Sequence, residues 1–377
     1  MQTGRLNDVE DAAARSDAAF ASGDAFQERA AISGRNALLR EADRIYQTGL
    51  AGLPPDCRDE RCRRLISHRA DALQRLAMVL NDREALEESI ALGSHVLEIV
   101  PESDRCRGIL WSNRASGLTK YAHITGDQRH LDKAIADFRK TAELLLEGEG
   151  NHTYARIGLA QALRQAGHTR HASDVLRAAI AVFEKVIDFS TALPDTDLAM
   201  TQNGRGIARF RLGEMEGDGA LLTSASGDHE IAEKIYARSG PKSDLVKTLF
   251  NIGNVAVRSF EIVGTLSDRH RAAASYARAR ALITPEEAPL DWATLHPAIG
   301  NVIIQRGLKE GRINLLLEAR EALEIGAAIF SPERTPGEWA GRQINLAIAD
   351  QLIAAFSGSP AGSSKPAHLR SPALFGP

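Results

Sequence analysis

Few residues of this chain combine the types and spacing that chemistry requires. His168 and His171 stand three positions apart in the segment GHTRHASD, a spacing that can place two metal ligands on one face of a helix. A solvated loop explains this pair better than a metal site does. Cys57 and Cys62 have four residues between them, and no second cysteine pair completes a zinc site. We therefore expect no bound metal.

Motifs of catalysis and nucleotide binding are absent from the sequence. It contains no GxxxxGK[ST] phosphate loop, no HExxH and no GxSxG. Its three cysteines, Cys57, Cys62 and Cys106, are too few for a disulfide framework and predict reduced thiols in a cytoplasmic protein. We expect no cofactor and no enzymatic activity.

Composition favours helices and excludes some classes of partner. Aromatic residues make up only 5% of the 377 residues, while alanine, leucine, arginine and glutamate, which favour helices, are abundant. The net charge of −3 gives no general attraction to nucleic acid or to a membrane surface. No run of 18 or more apolar residues and no stretch of signal-peptide type occurs.

A repeat of 45–47 residues organises the sequence. Similar segments begin at Asp197, Asp244, Asp291 and Glu338, each 47 residues after the one before it. A small residue recurs in the middle of the first predicted helix of each repeat, and such a residue lets two helices pack closely. The sequence therefore predicts an all-α fold, a right-handed α-solenoid of about seven helix–turn–helix repeats. The small residues are Ala70, Ala115, Ala160, Gly206, Gly253, Gly300 and Ala347.

The second helix of each repeat carries its own pattern. A small residue is followed four positions later by a bulky one in most repeats, as at Ala134 and Phe138 or Ala272 and Tyr276. His229 occupies the bulky position in its repeat, which predicts a partly buried packing residue. We interpret Asp197 and its equivalents as N-caps, each preceded by a proline two or three residues earlier.

These columns resemble the tetratricopeptide repeat (TPR), most closely in LWSNRASGLTKYAHITGDQRHLDKAIADFRKTAELL, residues 110–145. The longer period is similar to that of long-loop bacterial arrays, which accompany CHAT-type proteases or NTPases. The resemblance covers residues 60–356. Residues 1–59 are predicted to form an N-terminal helical cap with a poorly ordered start, and residues 357–377, rich in Ser, Pro and Gly, a disordered tail.

The resemblance implies that the first helix of each repeat lines a concave surface. Recurring positions on that surface carry amide and basic side chains. An asparagine both donates and accepts, as a peptide backbone does, whereas arginine and lysine favour an acidic partner. A solvated helix face is the alternative, although the apolar residues Phe210, Phe250, Ile304 and Ile207 favour a binding surface. The predicted binding residues are Asn113, Lys120, Arg211, Asn251, Asn254, Arg258, Asn301, Gln305 and Asn345.

We therefore expect a protein–protein interaction scaffold that holds a peptide or a protein segment in this groove. The alternative is a regulatory or sensor subunit that controls a separately encoded protease or NTPase. In both cases the partner is a protein or peptide, and neither nucleic acid nor a membrane is expected.

Overall fold

The structure is a computed structural model. It describes residues 2–33, 36–51, 53, 59–80, 82–102, 104–146, 150–188, 193–264, 266–328, 330, 332 and 336–357. Throughout these residues every regular element is a helix, and there are fifteen of them. This confirms the predicted all-α class. The predicted tail lies, after Ser357, outside the described residues.

The chain forms two compact units, which are described separately. The first unit spans Met1–Phe189 and the second spans Ser190–Pro377. The helices of the first unit are α1 (Gln2–Ser33), α2 (Asn36–Ala51), α3 (Glu60–Leu80), α4 (Arg83–Ile99), α5 (Cys106–Thr125), α6 (Gln128–Leu144), α7 (Gly150–Thr169) and α8 (Ser173–Asp188). Those of the second unit are α9 (Asp195–Glu216), α10 (Gly219–Ser239), α11 (Lys242–Val263), α12 (Leu266–Ala281), α13 (Pro289–Glu310), α14 (Ile313–Ala327) and α15 (Pro336–Ser357).

Consecutive helices pack as pairs, so the described chain holds seven pairs followed by the single helix α15. We call the first helix of a pair its A helix and the second its B helix. Within each unit an A helix packs on its own B helix and also touches the A helix of the next pair. This arrangement confirms the helix–turn–helix repeats that the 45–47 residue period predicts.

In two pairs the turn between the helices uses a glycine followed by an aspartate. Gly126 and Gly217 end α5 and α9 with φ of 73° and 67°, a left-handed conformation that favours glycine. Asp127 and Asp218 then cap α6 and α10, since each side chain accepts from backbone N–H groups of the first turn.

The small residue of the A helix meets the bulky residue of its B helix, as predicted. A Cβ added to Gly206 would lie 2.8 Å from His229 Cε1, and one added to Gly300 would lie 3.0 Å from Leu323 Cγ. Gly253 is covered in the same way by the ring of Tyr276. Glycine at these positions therefore sets the close approach of the two helices.

Three expectations of local structure need correction. Asp197 and its equivalents are not N-caps, because α9 and α11 already begin after Pro194 and Pro241, which places the acids in the first helical turn. There the carboxylates complement the helix dipole. His229 is fully buried rather than partly so.

The third correction concerns a cysteine. Cys62, which is 2% exposed in the first turn of α3, forms a disulfide, although the number of cysteines predicted reduced thiols. A count of cysteines carries no information on which two sulfur atoms the chain brings together. Cys106 is a free thiol, and Cys57 lies outside the described residues.

Among the described residues, no helix is both long and apolar enough to cross a membrane.

Candidate functional site

The candidate site lies on the A helices of the second unit. Helices α9, α11, α13 and α15 touch one another in sequence order. An amide side chain recurs at the 47-residue period at Asn254 and Asn301, and another equivalent position carries Arg258 and then Gln305. We call this side of α9, α11, α13 and α15, with Asn251, Asn254, Asn301 and Gln305, the groove face.

Asn251 belongs to a hydrogen-bond network that reaches into the core. Its Nδ2 donates to Asn203 Oδ1 of α9 at 3.2 Å. The same oxygen lies 2.8 Å from His229 Nδ1, so the imidazole carries its proton on Nδ1. Burial lowers the pKa of His229 to about 3, which keeps the ring neutral. Asn203 therefore connects Asn251 on the groove face to the buried ring of His229.

Asn254 makes an equivalent connection one pair further along. Tyr276, buried on α12, donates its hydroxyl to Asn254 Oδ1 at 2.7 Å. Burial raises the pKa of Tyr276, so the hydroxyl remains a donor. The Asn254 oxygen is thus already engaged, and its amide N–H groups are what this residue offers to a partner.

The arginines of the groove face have carboxylate neighbours on their own helices. Arg211 Nη1 lies 2.8 Å from Glu214 Oε2, and Arg258 Nη1 lies 2.8 Å from Glu261 Oε2. Both pairs are separated by three residues along a helix and stand one period apart. This compensation reduces the positive field that would attract an acidic partner.

The remaining predicted residues are spread over both units. Asn113 is exposed and Lys120 is half-buried on α5 of the first unit. Asn345 is half-buried on α15. Asn251 and Asn254 are half-buried on α11, and Gln305 is half-buried on the neighbouring helix α13. Asn301, also on α13, is buried, with 7% exposed, so less of it faces solvent than the sequence predicted. Arg211 and Asn345 lie on the helices at either side, α9 and α15.

Two apolar residues that we expected in the groove belong to the core. Phe210 is 9% exposed and packs with Leu222 and Val255, while Ile304 is fully buried against Leu316. The expectation was wrong because their position turns towards the neighbouring helix pair rather than towards solvent. Phe250 and Ile207 are half-buried.

A pocket opens between α11, α12 and α13, beside the groove face. Its empty space, which includes open solvent at its mouth, is about 450 Å³. Two of the predicted binding residues, Asn301 and Gln305, line it. The other lining residues are Val257, Phe260, Glu261, Arg269, Ala272, Tyr276, Ala298 and Val302.

The pocket exists because one pair departs from the packing of the others. The fourth residue of a B helix is a leucine in six of the seven pairs, and each of these leucines is buried, at most 6% exposed. In α12 this residue is Arg269. The six leucines are Leu39, Leu86, Leu131, Leu176, Leu222 and Leu316.

The residue opposite this position changes as well. Gly213 and Gly307 receive the leucine of their own pair, since an added Cβ would lie 3.0 Å from a Cδ2 atom of Leu222 or Leu316. The equivalent residue of α11 is Phe260. The sequence analysis missed Arg269 and Phe260, although the leucine column that they interrupt is visible at the repeat period.

The histidines that the sequence analysis considered for metal lie at the end of α7. In the part of the chain that the structure describes, no group of three or more His, Cys, Asp or Glu side chains could hold an ion. His168 lies in the last turn of α7, and His171 lies in the following turn with a φ of 50°.

Comparison with known proteins yields similarities of fold only. No protein-family model and no curated protein matches the chain. Among solved structures, it is similar to the S. pombe nuclear import adaptor Nro1 (12% identity, 74% of this chain, 98% of that chain, TM-score 0.42). It is also similar to yeast Tom70 (14% identity, 86% of this chain, 61% of that chain, TM-score 0.47).

A third similar structure is a signal transduction ATPase with a tetratricopeptide repeat sensor from Pyrococcus horikoshii (15% identity, 87% of this chain, 50% of that chain, TM-score 0.47). The chain therefore spans about half the length of that protein. The helix pairs and their small-residue contacts define the class of this protein, which is a TPR-like helical repeat protein.

Proposed function

We propose that this protein is an interaction scaffold that binds an extended peptide or protein segment on the groove face of its second unit. The observation that carries the proposal is the group of amide side chains on α11 and α13, of which Asn254 and Asn301 stand one period apart, next to a pocket with apolar walls. Amide donors and acceptors suit a peptide backbone, and an apolar pocket suits one anchoring side chain.

Rigid positioning supports the proposal. Asn251 and Asn254 are each held by a hydrogen bond to another pair or helix, through Asn203 and Tyr276. Side chains that are already ordered lose less conformational entropy when a partner binds. The ion pairs of Arg211 and Arg258 favour a partner that is not strongly acidic overall. Control of a separate protease or NTPase stays a prediction from the sequence resemblance.

Capture of partners from a lysate of the native host tests the proposal. The variant Asn254→Asp/Gln305→Ala removes amide donors from the groove face, and the aspartate keeps an oxygen for the hydroxyl of Tyr276. The control Lys234→Ala/Glu321→Ala changes exposed residues of the B helices α10 and α14. We expect partners to be lost only with the groove variant.

Equal recovery of partners by the wild type and the groove variant, at an unchanged melting temperature, would contradict the proposal.

A further inference from the structure

The pocket between α11, α12 and α13 lies at a position that is filled in the helix pairs before and after it. Different residues at the equivalent positions account for this. In the pairs before and after it, a leucine of the B helix fills this space against a glycine of the A helix. Phe210 and Ile304 add to the filling on either side, where the pocket has the smaller Val257. Leu222 and Leu316 show that the fold accepts the filled arrangement in both flanking pairs.

Arg269 brings a positive charge to the wall of this pocket. The structure offers it no carboxylate within salt-bridge distance in the described residues. Other arginines of the same helix are paired, since Arg271 pairs with Glu230, and Arg278 pairs with Glu233 at 2.6 Å. Glu261, which also lines the pocket, is already bound by Arg258. A half-buried guanidinium without a paired carboxylate can accept one from a ligand.

The rest of the lining is mostly apolar. Val257, Phe260, Ala298 and Val302 provide walls from α11 and α13, and Ala272 and Tyr276 line the pocket from α12. Such walls suit an aromatic or long aliphatic group. The side chains of Asn301 and Gln305 add polar atoms to the same lining.

We propose that the pocket receives an aromatic or long aliphatic side chain of a bound peptide segment whose adjacent Asp or Glu pairs with Arg269. This inference rests on the proposed function and adds a sequence preference to it. A peptide is favoured over a free small carboxylate because Asn301 and Gln305 also belong to the groove face, where a backbone would continue. One acidic residue beside the apolar side chain agrees with the rest of the groove face, where Arg211 and Arg258 are already paired with glutamates.

Selection from a phage-displayed library of random peptides, with the purified full chain as bait, tests this preference. We expect enrichment of an aromatic or aliphatic residue within two positions of Asp or Glu. The affinities of the selected peptides are then compared between the wild type and Phe260→Gly/Arg269→Leu, which restores the residues found in both flanking pairs. That variant fills the pocket without a foreign packing arrangement, so we expect an unchanged or higher melting temperature and at least tenfold weaker binding.

Two further variants separate charge from shape. Arg269→Gln removes the charge and should weaken acid-containing peptides at least tenfold, because a desolvated charge pair loses one partner. Arg280→Gln makes the same change at an exposed position of α12 and should leave affinity within twofold.

The possible results distinguish this inference from the proposed function. Peptides that lack the acid and bind the pocket-filled variant as tightly as the wild type would overturn the inference and leave groove binding intact. Failure to select any peptide would count against both. If N-acetylphenylalanine bound as tightly as the selected peptides, the pocket would belong to a free amphipathic carboxylate, and the peptide inference would be wrong.

Discussion

His229 Nδ1 lies 2.8 Å from Asn203 Oδ1, so a buried imidazole of α10 holds an asparagine that in turn holds Asn251 on the groove face. In the next two pairs Tyr276 and Leu323 occupy the position of His229. The residue at this position is therefore polar in the two pairs where it supports an asparagine of the groove face, as His229 and Tyr276 do. It is apolar in the third pair, where Leu323 only packs.

Burial of His229 makes stability depend on pH. The folded pKa of about 3 is below the ordinary value of 6.5, so the unfolded chain binds an extra proton between these values. Stability from this group is present above pH 6.5 and is lost as the pH falls towards 3, by up to about 1.4 kcal/mol per pH unit. The free energy of unfolding, measured with urea at several pH values, should fall less steeply with decreasing pH for His229→Leu than for the wild type. The same dependence on pH in both proteins would contradict the buried neutral ring.

Gly253 tests the close approach of helices within a pair. Alanine normally stabilises a helix interior by about 1 kcal/mol relative to glycine. At Gly253, however, the new methyl group would collide with the ring of Tyr276, whereas Gly227 of α10 has nothing within 4 Å. We expect Gly227→Ala to raise the melting temperature and Gly253→Ala to lower it. Stabilisation by both substitutions would show that the helices are further apart.

Asp228 tests a buried ion pair between α9 and α10. Its carboxylate is 3% exposed and accepts from Arg205 at 2.6 Å and from Arg209 at 2.9 Å. Asp228→Asn leaves two cations poorly compensated and should reduce the free energy of unfolding by roughly 3–5 kcal/mol. Glu287→Gln, which breaks an exposed pair with Lys242, should cost about 1 kcal/mol or less. Chemical denaturation measures both, and equal small losses would contradict the buried network.

Much of the fold could be predicted because equivalent residues of successive repeats pack in the same way. Gly206, Gly253 and Gly300 stand one period apart and all meet a bulky residue of the B helix. Positions near the edge of a helix face were harder to assign. Their spacing from Gly206 and Gly300 predicts that Phe210 and Ile304 face the groove, and only the angle between neighbouring pairs turns them inward.

The candidate site was predictable in part. Asn254 and Asn301 recur in register, so the period alone places them on one face. Their hydrogen-bond partners come from elsewhere in the chain, and no local pattern identifies Tyr276 as the donor to Asn254. Arg269 could have been found as the exception in the leucine column, but its pocket also depends on Val257, whose effect is three-dimensional.

Photocrosslinking tests most directly the claim that the groove face of the second unit holds the partner. A benzoylphenylalanine introduced at Gln305 lies on that face, whereas one at Leu317 lies on α14, where the native side chain is 51% exposed. Irradiation in the native host should yield a crosslinked protein or peptide from position 305 and none from position 317. Crosslinks from position 317 alone would contradict the account.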